Sequence, residues 1–320
     1  MESGKFIISL DFELHWGGAE KWDIVNKKTY FNNTRIIVDQ LLKVFEENKL
    51  PVTWATVGIL FAATKDEFLK YKPEIEPTYI NENLNYYSLL KNDEVGKDET
   101  EDPYHFAATL VRKIKEAPLQ ELSTHTFAHY YCNEKGQNIT QFKADIEAAQ
   151  KIAHDKYNVR LKSIVLPRNQ FNKNYINTLA QAGIKVVRSN PDVWFWNNIS
   201  LISPIFRALD TLFKISKSLS YKESDLTYQD TVLLLPASRF LRPYARKERL
   251  IQKLKTSRIK REMKHAAKNN RVYHLWWHPH NFGYFPKENM KQLLELIEYY
   301  NYLKQKYNFQ ACSMIEMHKK

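Results

Sequence analysis

The chain of 320 residues is 43% hydrophobic, ample for a sizeable core, and carries a formal charge of +12 from 48 Lys and Arg against 36 Asp and Glu. Two cysteines do not suggest a disulfide framework. No basic stretch followed by a long apolar run precedes the first strand, so neither a signal peptide nor a transmembrane helix is expected and the cytoplasm is the default location. The positive excess is local: residues 239–271 hold 13 Lys or Arg and 2 Asp or Glu, a net +11 that points to a phosphate-bearing or anionic partner.

Phe6, Ile7, Ile8 and Leu10 make the short apolar run of a buried parallel strand. A helix follows over 33–47, a β-prone run over 52–57 and a helix over 61–71. Residues 72–103 have three prolines and no steady period, which reads as a surface insertion or mobile loop. Helices are expected at 104–116, 139–157, 175–182, 246–268 and 287–305. Strands are expected at 119–123, 161–166, 184–187, 231–235, 272–277 and 309–315. This βαβα alternation predicts a parallel sheet, open or closed into a barrel. Within a second insertion, 199–270, the apolar residues Ile205, Phe206, Leu209, Leu212 and Phe213 fall on one helical face. The plainer reading is a helix packed on the barrel; the other is an interfacial helix on an anionic bilayer.

Asp11 and Glu13 stand at the end of the first strand and, two apart, share a face. An anionic pair at the tip of a buried strand is costly unless a cation or donors compensate it. His125 and His129 follow another strand-like run, four apart, a spacing that puts two imidazoles on one face of a helical turn. Two histidines and a carboxylate form a common ligand set for catalytic zinc with a position left open for water. Trp16, Trp276 and Trp277 nearby suggest an aromatic cleft, whereas His15 and His274 read as structural.

The order Asp11-x-Glu13, His125-x3-His129, Pro167-Arg168-Asn169-Gln170, Asp192-x-Trp194 and His278-Pro279 resembles the polysaccharide deacetylase family, the NodB-homology or carbohydrate esterase 4 group. The resemblance implies an α/β fold, a distorted (β/α)7-type barrel with the two insertions, and hydrolysis of an acetyl group from a sugar with a divalent metal. Zinc is expected first, with Co2+, Ni2+ or Mn2+ as substitutes. It implies Asp11 as base, Glu13, His125 and His129 as metal ligands, and Arg168 orienting the base. His278 is the implied acid, tuned by Asp192, and Trp194 walls the acetyl pocket. Trp16, Trp277 and His280 complete the expected substrate site. Two departures leave alternatives open: the family's adjacent aspartates are here Asp11 and Glu13, which could exchange roles, and His280 rivals His278 as acid.

The expected substrate is an acetylated sugar or glycan from surface polysaccharide or glycolipid assembly, carried on a lipid phosphate if the basic segment reaches an anionic membrane. Two rivals are a metal-independent amidohydrolase on the same barrel and a non-catalytic glycan- or nucleic-acid-binding protein. Nucleic acid is disfavoured because the basic block lacks interleaved aromatics.

Overall fold

In the computed structural model, which describes residues 3–191, 193, 206, 210 and 218–319, the first apolar run becomes β1 (Lys5–Phe12), buried along almost its whole length. A strand that shows no face to water needs neighbours on both edges and cover on both faces. β1 pairs in parallel with β2 (Val52–Thr56) on one side and with a late strand, Val272–Trp277, on the other. Beyond β2 the sheet continues through β3 (Gln120–Thr124), β4 (Ser163–Val165) and β5 (Val186–Ser189). It is edged by the hairpin of β6 (Thr227–Gln229) and β7 (Val232–Pro236), the one antiparallel pair among the described strands. A two-residue β8 (Arg239–Phe240) pairs with Val272–Trp277, here β9, and β10 (Gln310–Cys312) pairs with β1.

Seven of these strands, β7-β5-β4-β3-β2-β1-β9, form the parallel wall of a distorted (β/α)7 barrel. The continuous segment after β7 spans its remaining gap. Ala237 N–H donates to Ser189 of β5, and the next residue, Ser238, donates to His274 of β9. Two consecutive residues therefore bridge the opposite ends of the sheet.

The helices cover this wall. They are α1 (Ile24–Glu47), α2 (Lys65–Tyr71), α3 (Ser88–Lys91), α4 (Ala108–Glu116), α5 (Ile139–Tyr157), α6 (Ile176–Gln181), α7 (Gln252–Lys268) and α8 (Pro286–Tyr307). Asn138 and Gln141 form a capping box on α5, a contribution of about 1 kcal/mol. α1 starts well before residue 33 because Asp23 caps it, accepting from Val25 N–H, and its extra turns bury Tyr30 and Phe31.

Residues 72–103 depart from the expected surface insertion. Tyr79, Leu84, Tyr86, Tyr87 and Val95 are buried in the main core, and the Tyr79 hydroxyl accepts a hydrogen bond from Tyr131 N–H. The segment lacks a period because irregular loops, not a helix face, deliver its tyrosines inward. Of the apolar helix expected over 203–215, only Phe206 and Asp210 belong to the described residues, and both are helical. At least four of the thirteen basic residues of the block are paired with acids. Arg239 and Arg258 pair with Glu262 and Asp210, and Lys255 and Arg242 pair with Glu248. No helix among the described residues is long and apolar enough to cross a membrane.

Candidate metal centre

Strand register assembles the site. Phe12 is level with Thr56, and Thr56 with Thr124, so Glu13 and His125 each emerge one residue beyond the same rung. Thr124 is level with Ile164, and Val165 with Arg188, which brings Arg188 to that height as well. On the other edge Leu10 is level with Trp277, so Asp11 and His278 leave adjacent strands side by side. The carboxyl ends of parallel strands thus converge their polar side chains on one mouth of the barrel.

Glu13 occupies the centre. Its Oε2 lies 3.2 Å from His125 Nε2 and 3.0 Å from His129 Nε2, and its Oε1 lies 3.6 Å from His278 Nε2 and 3.7 Å from His280 Nδ1. The side chain folds back over Gly17, where a Cβ would stand 2.1 Å from Glu13 Oε1. Only glycine leaves room for that turn.

His125 and His129 do not lie on a helical turn, as their spacing suggests. They sit in a loop after β3 in which Thr126 (φ 66°) and His129 (φ 54°) adopt left-handed backbone conformations, unusual for residues with a Cβ. The loop is tied down from two sides. Buried Asp145 on α5 accepts from Phe127 N–H (2.6 Å) and Ala128 N–H (3.0 Å), while Gly58 N–H donates to Thr126 O across a gap too small for a Cβ. Burial pushes the Asp145 carboxyl up to about 7 despite those two donors.

Asp11 is gripped by an arginine, but not by Arg168. Arg188 donates from Nη1 to Oδ1 and from Nη2 to Oδ2, both at 2.7 Å, with further bonds to Ser9 Oγ and Asn169 Oδ1. Its guanidinium stacks 4.3 Å from the Trp276 ring. The expected strand ended at residue 187, one short of this side chain; a charged residue at the tip of a buried run is the signal that singled out Asp11. Arg168 instead pairs with Glu20 and lies over the Tyr131 ring. Successive left-handed residues, Arg168 (φ 54°) and Asn169 (φ 52°), send Arg168 to Glu20 while Asn169 meets Arg188.

Burial would raise the Asp11 carboxyl, but the charge of Arg188, then those of His278 and His125, hold it below its ordinary value. For Glu13 the same burial is outweighed by the surrounding imidazoles, His278 first and then His125 and His129, which hold it well below the usual range. His129 is itself lowered by burial, against the pull of Glu13. His280 is buried and pushed down to about 3, chiefly by desolvation. His278 is 24% exposed and turns Nδ1 toward Asn281 Oδ1.

The expected aromatic cleft is not formed by Trp16 and Trp277. Both are fully buried: Trp16 donates to His105 O, and Trp277 stacks on Phe282. Their rings fill core, so neither reaches a substrate. His15 and His274 are structural as expected, His15 bonded to His105 and to Trp22 O, His274 to Ser9. Asp192 and Trp194 lie outside the described residues. A cavity of about 830 Å³ lies at the opposite, amino-terminal ends of the strands, lined by residues such as Lys151, Lys162 and Lys185. It is remote from the carboxylates and imidazoles, whose chemistry marks the other mouth as the site.

The donors fit a divalent cation. His125 Nδ1–H donates to Val165 O at 2.8 Å, which leaves a lone pair on Nε2, a buried atom with no hydrogen-bond partner. Two imidazole nitrogens converging on one carboxylate oxygen form a closed set of donors to a cation, and Glu13, His125 and His129 satisfy the ligand spacing. Glu13, His278 and His280 satisfy it too.

The sequence profile of the polysaccharide deacetylase family matches residues 29–187, about half of the chain. No curated protein matches by sequence. Among solved structures, one from Mycobacterium smegmatis assigned as a polysaccharide deacetylase has a TM-score of 0.60 at 12% identity, covering 99% of this chain and 90% of that one. Puue allantoinase gives 0.56 at 10% identity, covering 98% and 88%. A protein from Pseudomonas aeruginosa PAO1, also assigned as a polysaccharide deacetylase, gives 0.55 at 12% identity, covering 98% and 88%. At these identities the likeness is one of fold, the distorted (β/α)7 barrel. With the profile spanning β2 to β5 and the paired imidazoles, the chain belongs to the polysaccharide deacetylase family.

Proposed function

We propose that the protein is a metal-dependent hydrolase that removes an acetyl group from an acetylated sugar. The observation that carries this reading is the convergence of His125 and His129 on one oxygen of Glu13, with His278 3.6 Å from its other oxygen and 3.6 Å from Asp11. A divalent cation held by Glu13, His125 and His129, zinc first and Co2+, Ni2+ or Mn2+ as substitutes, would supply Lewis acidity toward the acyl oxygen and a lower pKa for water.

The chain's own residues do the rest. Asp11, kept ionised and aimed by the two-pronged grip of Arg188, accepts the proton of the attacking water. His278 Nε2, 3.6 Å from both carboxylates, hands a proton to the leaving sugar atom as its bond to the acyl carbon breaks, releasing acetate. Proton transfer of this kind contributes about 10²- to 10⁴-fold. The geometry favours Glu13 over Asp11 as ligand, because one Glu13 oxygen lies 3.2 and 3.0 Å from the two imidazole nitrogens while Asp11 is already paired with the Arg188 cation. It favours His278 over His280 as acid, because a buried imidazole lowered to about 3 does not hold a proton near neutrality.

A role in surface polysaccharide or glycolipid assembly, on a substrate carried by a lipid phosphate, draws support from the rim. Arg246, Lys247, Arg249 and Lys253 are exposed around the exposed Leu250 and Leu254, a basic and apolar combination suited to an anionic bilayer. The Arg246 guanidinium lies over Phe285, shortly after the turn that carries His278. The test is acetate release from N-acetylglucosamine oligomers and from O-acetylated sugars by zinc-loaded protein. Release abolished by chelation and restored by zinc supports the reading; turnover of allantoin by metal-free protein, without acetate release from either sugar, contradicts it.

A further inference from the structure

One cluster beside the centre is absorbed by none of the steps above: Glu20, Tyr86, Tyr131 and Arg168. Its hydrogen bonds run in a line. The Tyr86 hydroxyl donates to Glu20 Oε2, and Arg168 holds the other carboxylate oxygen. The Tyr86 and Tyr131 hydroxyls lie 2.7 Å apart, and Tyr131 Oη lies 3.0 Å from His129 Nδ1.

Proton counting fixes the direction of every link. A phenol has one proton to give, and that of Tyr86 goes to Glu20, an acceptor only. Tyr86 therefore accepts from Tyr131. Tyr131, its own proton spent on Tyr86, accepts from His129, which must carry its proton on Nδ1. A neutral His129 then presents a bare Nε2, 3.0 Å from Glu13 Oε2. The relay is sealed from competing water: Tyr86 and Tyr131 are 2% and 0% exposed and Glu20's side chain 10%. The Tyr86 ring also stacks on His129 at a 16° interplanar angle, so the same residue holds both the plane and the tautomer. For His125 a single backbone carbonyl does this work; His129 has no carbonyl partner among the described residues and depends on side chains contributed by the turn after β1, the irregular 72–103 segment and the loop carrying Arg168.

We propose that Glu20, Tyr86 and Tyr131, anchored by Arg168, are positioning residues that lock His129 in its Nδ1–H tautomer and so keep Nε2 available to a divalent cation. The proposal rests on the metal reading above, and it assigns Arg168 to the cation ligand's support in place of the base. Outer partners of a ligating histidine are worth about 10- to 100-fold in metal affinity.

The experiment compares wild type, Tyr86→Phe, Tyr131→Phe and Glu20→Ala by two readouts. The first is the Kd of Zn2+ measured by competition with a chelating indicator; the second is the ¹⁵N side-chain spectrum of metal-free, histidine-labelled protein, with the His129 signal assigned by its loss in His129→Ala. Tyr86→Phe keeps the ring and the packing, and circular dichroism identifies any variant that does not fold. The expected result is Nδ1–H in the wild type, a mixture with Nε2–H in Tyr86→Phe, and a Zn2+ Kd raised about 10- to 100-fold in each variant. An unchanged Kd and an unchanged tautomer in Tyr86→Phe and Tyr131→Phe overturn the relay while leaving the metal reading standing. Failure of the wild type to bind Zn2+ overturns the metal reading and the positioning role with it, whatever tautomer the spectrum shows.

Discussion

Replacing Arg188 with methionine tests how the base is held. The substitution keeps a long apolar stem but removes both prongs from Asp11, together with the bonds to Ser9 and Asn169. Asp11 is 2% exposed and would be left as a buried carboxylate without its cation. Breaking a buried pair in this way costs about 3–5 kcal/mol. The sign of the pH dependence follows from Asp11. In the wild type its carboxyl lies below the ordinary value, so it contributes stability above the carboxylate range and loses it as pH falls through the folded value. In Arg188→Met desolvation acts without the opposing cation and the carboxyl is raised, so the variant is penalised most at high pH and recovers as Asp11 protonates. Urea unfolding at about pH 4.5 and about pH 8 should show a deficit that shrinks at the lower pH. The acid limb of kcat/KM, read at saturating zinc, should move up by about one pH unit or more. Arg168→Met should leave that limb in place. A stability deficit equal at both pH values, with an unmoved limb, would refute the pairing.

Three further outcomes are expected. Gly17→Ala places a Cβ against Glu13 and should weaken Zn2+ binding by about tenfold or more while circular dichroism stays native, because the clash falls on a ligand and not on the core. Asp145 is raised to about 7, so the folded state holds its proton over a range where the unfolded chain has lost it; this group lowers stability as pH rises from the ordinary carboxylate range to about 7. Asp145→Asn, which keeps one acceptor for the loop, should remove that slope from the unfolding free energy, and an unaltered slope would count against the burial argument. Reversing Lys247, Arg249 and Lys253 to glutamate should cut sedimentation with anionic vesicles without changing acetate release from a soluble sugar, and equal sedimentation would sink the membrane contact.

The parts of the site that sequence reveals are those where one strand tip carries an improbable charge. Asp11 and Glu13 follow an apolar run directly, and β3 leads straight to His125, so register alone brings them together. Arg188 obeys the same rule and was hidden only by a strand boundary placed one residue early. Arg168 shows the opposite failure: its motif lies in the right place, but two left-handed residues decide which side chain points inward, and no periodicity encodes that. Trp16 and Trp277 flank site residues in sequence, yet alternation along a strand sends neighbours to opposite faces, and Trp277 next to His278 goes to the core. The 72–103 segment gives no periodic signal because its buried tyrosines stand on irregular turns, without the repeat of a helix stripe.

The most direct measurement is an anomalous difference map from crystals grown with zinc and without chelator, recorded on both sides of the zinc edge. The account predicts one strong peak within bonding distance of Glu13, His125 Nε2 and His129 Nε2, with Arg188 still closed on Asp11. A peak absent from that point, or seated only between His278 and His280, would contradict it.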